Sequence, residues 1–104
     1  MKYIDVLKAL ADYNRLAIMC YLENGTKCVC EVEQILSISQ SATSKHLNKL
    51  RMAGLIEAEK KAQWVYYSIP SKIYLEYPFL EKLLDDARKQ YAFDTIKVTK
   101  FDNC

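Results

Sequence analysis

Along the first half of the chain, apolar residues recur at the three-and-four spacing of helices that each bury one stripe. Ile4, Leu7, Leu10 and Ala11 mark a first helix, Asp12-Tyr13-Asn14 interrupts it, and Leu16, Met19, Cys20 and Tyr21 mark a second. The second ends at Asn24-Gly25, where Gly25 is placed to serve as a C-cap. A short third helix is predicted from Val29 to Leu36 and a fourth from Gln40 to Ala53, with only Ser37-Ile38-Ser39 between them. Ser39 can cap the fourth helix and Gly54 closes it. The period then changes: Leu55-Ile56-Glu57-Ala58-Glu59, a polar tip around Lys60-Lys61-Ala62-Gln63, and Trp64 to Ile69 read as a β-hairpin. Pro70 ends its second strand, and Pro78 suits the first turn of a last helix whose Leu80, Leu83, Leu84, Ala87 and Tyr91 share one stripe. After Asp94 the pattern lapses. The expectation is one domain over residues 1–94, mainly α with a β-hairpin, followed by a loosely ordered tail, 95–104, that ends in Cys104.

The fourth helix divides by polarity. At roughly 100° per residue from Gln40, the residues Gln40, Ser41, Ser44, Asn48 and Arg51 fall within about 0–100°, with Lys45 near 140°. Ala42, Thr43, His46, Leu47, Leu50 and Ala53 fall on the opposite side. One face packs and the other can read. Short polar side chains allow close approach to a major groove, where Gln and Asn pair with adenine edges, Ser with base edges or phosphate, and Lys with phosphate or guanine. His46, the one histidine of the chain, falls mid-way along the packing side and reads as a hydrogen-bonded core residue, not a ligand.

Charge agrees with that assignment once its location is considered. The net charge is only +2, but Ser37 to Ile56 holds no Asp or Glu while carrying Lys45, Lys49 and Arg51, so the remainder of the chain is slightly acidic. A local cationic patch of this kind supplies the salt-dependent attraction to phosphates on which DNA affinity rests. Lys60 and Lys61 add cations at the hairpin, partly offset by Glu57 and Glu59. The candidate DNA-contacting set is Ser39, Gln40, Ser41, Ser44, Lys45, Asn48, Lys60 and Lys61. The aromatic strand Trp64, Tyr66, Tyr67 reads as pleat packing and not as a base-stacking platform.

With 104 residues, the chain can bury one modest core, and a partner subunit is expected to help cover apolar surface. No apolar run approaches the length of a membrane crossing, and the opening residues lack the basic and apolar regions of a secretion signal, so a cytoplasmic protein with no membrane partner is expected. In a reducing compartment its four cysteines are poor candidates for structural disulfides. Cys20 lies on a packing stripe and reads as a small buried hydrophobe. Cys28 and Cys30 stand at the start of the third helix, whose N-terminus favours thiolates, although Glu31 and Glu33 oppose this. The two-residue spacer of thiol-exchange enzymes is missing, as is a histidine placed to act as base, so no enzymatic activity is expected.

Several segments together resemble the ArsR family of metalloregulatory repressors: Leu7 to Asp12 with Arg15-Leu16, Ser39 to Leu47, Leu50 to Ile56, and Trp64 to Tyr67. The resemblance covers nearly the whole chain except the tail. It implies a winged helix-turn-helix homodimer, paired through its first and last helices, that binds double-stranded operator DNA and releases it on binding an inducer. Thr26-Lys27-Cys28-Val29-Cys30-Glu31-Val32 resembles the metal-binding box of the arsenic-responsive members, with Glu33 where such boxes often carry a third cysteine. The implied inducer is arsenite or antimonite, held by Cys28 and Cys30, with no cofactor required. Cys104 is the candidate third sulfur, because ten extended residues beyond Asp94 reach about 33 Å. Cadmium or lead, which also favour sulfur, and thiol oxidation are the alternatives. A zinc pair across the last helices is excluded, since no histidine follows His46. On a regular helix, residues two apart point about 200° away from each other, so chelation by Cys28 and Cys30 is expected to unwind that turn and disturb the helix beyond.

Overall fold

A computed structural model describes residues 2–91 and residue 93. Six helices and a small sheet follow in the order α1 (Lys2–Leu10), α2 (Tyr13–Glu23), β1 (Lys27–Cys28), α3 (Val29–Leu36), α4 (Gln40–Met52), β2 (Glu57–Lys61), β3 (Trp64–Ser68), α5 (Lys72–Glu76) and α6 (Phe79–Tyr91). The sheet is antiparallel in the order β1-β3-β2. No described helix is long and apolar enough to cross a membrane.

Local chemistry fixes the helix ends. Asp12 caps α2 by accepting the Arg15 N–H at 3.1 Å, and Ser39 Oγ caps α4 by accepting the Ala42 N–H at 3.1 Å. Beyond α4, Leu55 N–H donates to Leu50 O at 3.0 Å and Gly54 N–H to Arg51 O at 2.9 Å. That pair of bonds is a Schellman motif, and it requires Gly54 at a φ of 81°. Leu50 and Leu55, both fully buried, provide the apolar contact that accompanies it. Ser37 ends α3 in the left-handed region with φ 56°, turning the chain into α4 within three residues.

The core gathers Val6, Ile18, Met19, Val32, Leu47, Leu50, Ile73, Leu80 and Leu84, contributed by every helix. It corrects the reading of α1. Val6, Ala9 and Leu10 face inward, whereas Ile4 and Leu7, half of the expected packing stripe, are 46% and 48% exposed. The helix carries two apolar faces, and only one is buried among the described residues. Similarly, Leu80, Leu84 and Ala87 of α6 are buried, but Tyr91 is exposed and meets Tyr13 edge-on at 5.4 Å.

Two elements go beyond what the sequence pattern predicts. β1 has two residues, pairing Lys27 with Tyr67 and Cys28 with Tyr66, and α5 is one turn that buries only Ile73. The hairpin also differs at its tip. Lys60 and Lys61 are strand residues paired with Val65 and Trp64, and the turn is Ala62-Gln63, with Ala62 taking the positive φ, 57°, that glycine adopts more easily. The tail, 95–104, lies outside the described residues.

Candidate thiol site and nucleic-acid interface

Cys28 is the last residue of β1 and the N-cap of α3, with extended backbone angles of −86° and 166°. Its N–H donates to Glu31 Oε1 at 2.9 Å, and the two residues form a capping box. The spacing of one acid three positions after a capping residue, visible in the sequence, is what sets this start. Cys28 is buried with a free thiol, whereas Cys30 is half-buried and disulfide-bonded, which corrects the expectation that the cysteines are poor candidates for disulfides; the sulfurs of Cys28 and Cys30 lie 3.7 Å apart. The expectation that the two thiols point away from each other is therefore corrected. It assumed that both belong to the helix, whereas Cys28 precedes it and its extended backbone swings Sγ over the first turn.

Thiolate bonds of about 2.3 Å meeting at a tetrahedral angle hold their sulfurs about 3.8 Å apart, so this pair, with Cys30 reduced, has the bite of a chelate without unwinding of α3. Among the described residues, no three His, Cys, Asp or Glu side chains cluster to hold a metal ion. Cys104 lies outside the described residues. Cys20 is buried between α2 and α6, where its thiol donates to Leu84 O at 3.5 Å, far from any ligand role.

The thiol pair has two main-chain routes outward. Through β1 it is hydrogen-bonded to β3, the return strand of the hairpin. Through α3 and the turn at 37–39 it reaches α4.

The two faces of α4 are those that the wheel predicts. Thr43, Leu47 and Leu50 are buried, and Gln40, Ser41, Ser44, Lys45 and Asn48 are exposed along one side. Thr43 satisfies its hydroxyl by donating to Ser39 O at 2.8 Å. Ser39 is exposed, but its oxygen already serves the cap, and Asn48 Oδ1 accepts from Arg51 at 2.9 Å. Lys60 and Lys61 are exposed on the hairpin, with Lys61 3.9 Å from Glu59. His46 is half-buried, as its place on the packing side suggests, and its Nδ1 lies 3.2 Å from an Arg15 guanidinium nitrogen. The same Nδ1 lies 3.8 Å from Asp12 Oδ2, so His46 ties α4 to the start of α2.

A three-residue turn joining two helices, the second presenting a polar exposed face, followed by a two-stranded hairpin, defines a winged helix-turn-helix transcriptional regulator. Residues 12–58 match the model for bacterial regulatory proteins of the arsR family. The chain is 38% identical to the arsenical resistance operon repressor of Escherichia coli over 85 residues, 81% of this chain and 70% of that protein. It is 45% identical to the arsenical resistance operon repressor of Bacillus subtilis over 69 residues, which are 65% of this chain and 66% of that repressor. The solved structure of HlyU from Vibrio cholerae superposes with a TM-score of 0.71 at 34% identity, covering 88% of this chain and 92% of that one. The same protein is described as a transcriptional activator. This chain belongs to the ArsR family of transcriptional regulators; these relatives are regulators and not enzymes.

Proposed function

We propose that this chain is a cytoplasmic homodimeric repressor that binds double-stranded operator DNA and releases it when arsenite or antimonite bonds to Cys28 and Cys30. The observation that carries this reading is the 3.7 Å separation of two sulfurs at the N-terminus of a helix three residues upstream of α4. Arsenite presents three exchangeable hydroxyls. Each thiol that displaces one forms an S–As bond and sends its proton out with the hydroxide as water. Cys28 and Cys30 supply two such bonds, and Cys104, from the same subunit or its partner, is the candidate for the third.

DNA contact is assigned to Gln40, Ser41, Ser44, Lys45 and Asn48 on α4, to Ser39 at its cap and to Lys60 and Lys61 on the hairpin. Chelation ties Cys28 Sγ to a new atom beside Glu31 N–H and β1. The resulting shift passes along α3 to α4 and across the β1–β3 pairing to the hairpin. Operator and inducer then oppose each other with a coupling that is reciprocal in binding free energy. A coupling of about 3 kcal/mol weakens operator binding roughly a hundredfold. The apolar face of α1 on which Ile4 and Leu7 are exposed supports the homodimer.

Fluorescence anisotropy of a labelled promoter fragment tests the site. Arsenite or antimonite should release the wild type, and Cys28→Ser or Cys30→Ser should abolish release while leaving DNA binding intact. Cys104→Ser should weaken it. Release by arsenite that survives loss of both Cys28 and Cys30 would refute the site, and preferential release by cadmium or lead would reassign the inducer. The same proximity of sulfurs also favours a second reading, thiol oxidation, which predicts release by peroxide and none by arsenite.

A further inference from the structure

Beside α4, on the flank turned toward α1, lies an open cleft of about 570 Å³. Asp5 and Lys8 border it from α1, Lys45, Lys49 and Met52 from α4, and Arg15 from α2. Asp5 is the single carboxylate among the described lining residues, against four cations. Lys8, Lys45 and Lys49 are all exposed.

The position of this cleft relative to the reading face decides what can enter it. The reading residues of α4 centre near 50° on the helical wheel, which puts Lys45 roughly 90° and Lys49 roughly 130° to one side. A helix with its side chains is about 10–12 Å across and a major groove about 12 Å wide, so a seated helix fills the groove. Its flanks then meet the sugar-phosphate walls and not the base edges. The cleft opens on that flank.

The walls of the cleft are also fixed in place. Arg15 donates from Nε to Ala9 O at 2.5 Å and from its terminal nitrogens to Lys8 O at 3.3 Å and His46 Nδ1 at 3.2 Å. One guanidinium thereby joins the C-terminal turn of α1 to α4 through His46, holding the main chain of Lys8 opposite Lys45 and Lys49. A cationic site whose frame is set before binding loses less ordering entropy on capturing its ligand.

We propose that this cleft seats a backbone phosphate of the bound duplex, with Lys8 and Lys49 as its cations. The proposal rests on the DNA-binding reading above and extends the protein's footprint from α4 and the hairpin to α1. Lys8 and Lys49 position the protein on the duplex without reading sequence, so they strengthen specific and non-specific binding alike.

The full chain, with Lys8→Gln and Lys49→Gln as variants, is titrated into two labelled duplexes of equal length. One is taken from the DNA preceding its own coding sequence and one is of random sequence, both over a series of KCl concentrations. Each variant should bind both duplexes several-fold more weakly. The slope of log affinity against log salt should flatten by roughly 0.9 for every phosphate no longer neutralised, or about 1.8 for a dimer in which each half gives up one. Unchanged affinity and slope in both variants, with the wild type binding in a salt-dependent manner, overturn the proposal while leaving the DNA reading intact. It is also overturned if inorganic phosphate raises the wild-type melting temperature, the variants lose that effect and DNA affinity does not change, because the cleft then serves a free anion. A wild type that binds neither duplex overturns the DNA reading, and the cleft assignment with it.

Discussion

Leu47 has no solvent exposure, and with Leu50 it anchors α4 while the reading side stays in water. Leu47→Ala should lower unfolding stability by about 2–5 kcal/mol, the usual cost of lost burial plus a cavity. In urea this reads as a lower midpoint with an unchanged slope. Burial on α4 was legible because thirteen residues give the helix period several turns in which to declare itself. The relation between Cys28 and Cys30 was not. The predicted start at Val29 is the observed one, but the geometry argument applied the helical period to Cys28, which precedes the helix with an extended backbone. The Cys28–Glu31 capping box carried the missing information, since a capping residue is non-helical by definition.

Among elements, those with a full period of apolar residues were readable: α2, α3, α4, α6 and the hairpin. β1 and α5 were not, because two residues cannot show alternation and five residues make little more than one turn. α1 shows a different limit. The sequence offers apolar residues on two faces, and nothing in a single chain says which one packs within it. At the junction of α2, α5 and α6, the Arg88 guanidinium donates to Glu23, and Tyr74 Oη donates to the other Glu23 oxygen at 3.2 Å. Burial, and then the Glu23 carboxylate, push the Tyr74 phenol above its ordinary value of 10.0. The unfolded phenol ionises at the ordinary value and the folded one resists. The stability this contributes is therefore complete below about pH 10 and lost as pH rises beyond it toward the folded value. The urea midpoint of the wild type should thus fall more steeply above pH 10 than that of Tyr74→Phe, and equal slopes would remove Tyr74 from the account.

For the whole molecule, the outer face of α1 is apolar and exposed among the described residues. Tyr3, Ile4 and Leu7 are exposed on α1, and Tyr13 and Tyr91 are exposed at the edge between α2 and α6. Leu7→Glu should shift the protein to monomer in analytical ultracentrifugation and weaken binding to a two-half-site duplex more than to a single half-site. A variant that remains dimeric would move the interface elsewhere. In the proposed mechanism the Cys28–Cys30 pair and the polar side of α4 sit on separate elements, joined by two ladder rungs to the hairpin, a short bend into the helix and the packing of α3 on α4 in the core. Chemical taste and genomic address are therefore separable. On the proposed function, substitutions around residues 28–33 should retune which guest is sensed while the promoter stays the same, and substitutions on α4 should redirect the protein to another promoter under the same chemical command.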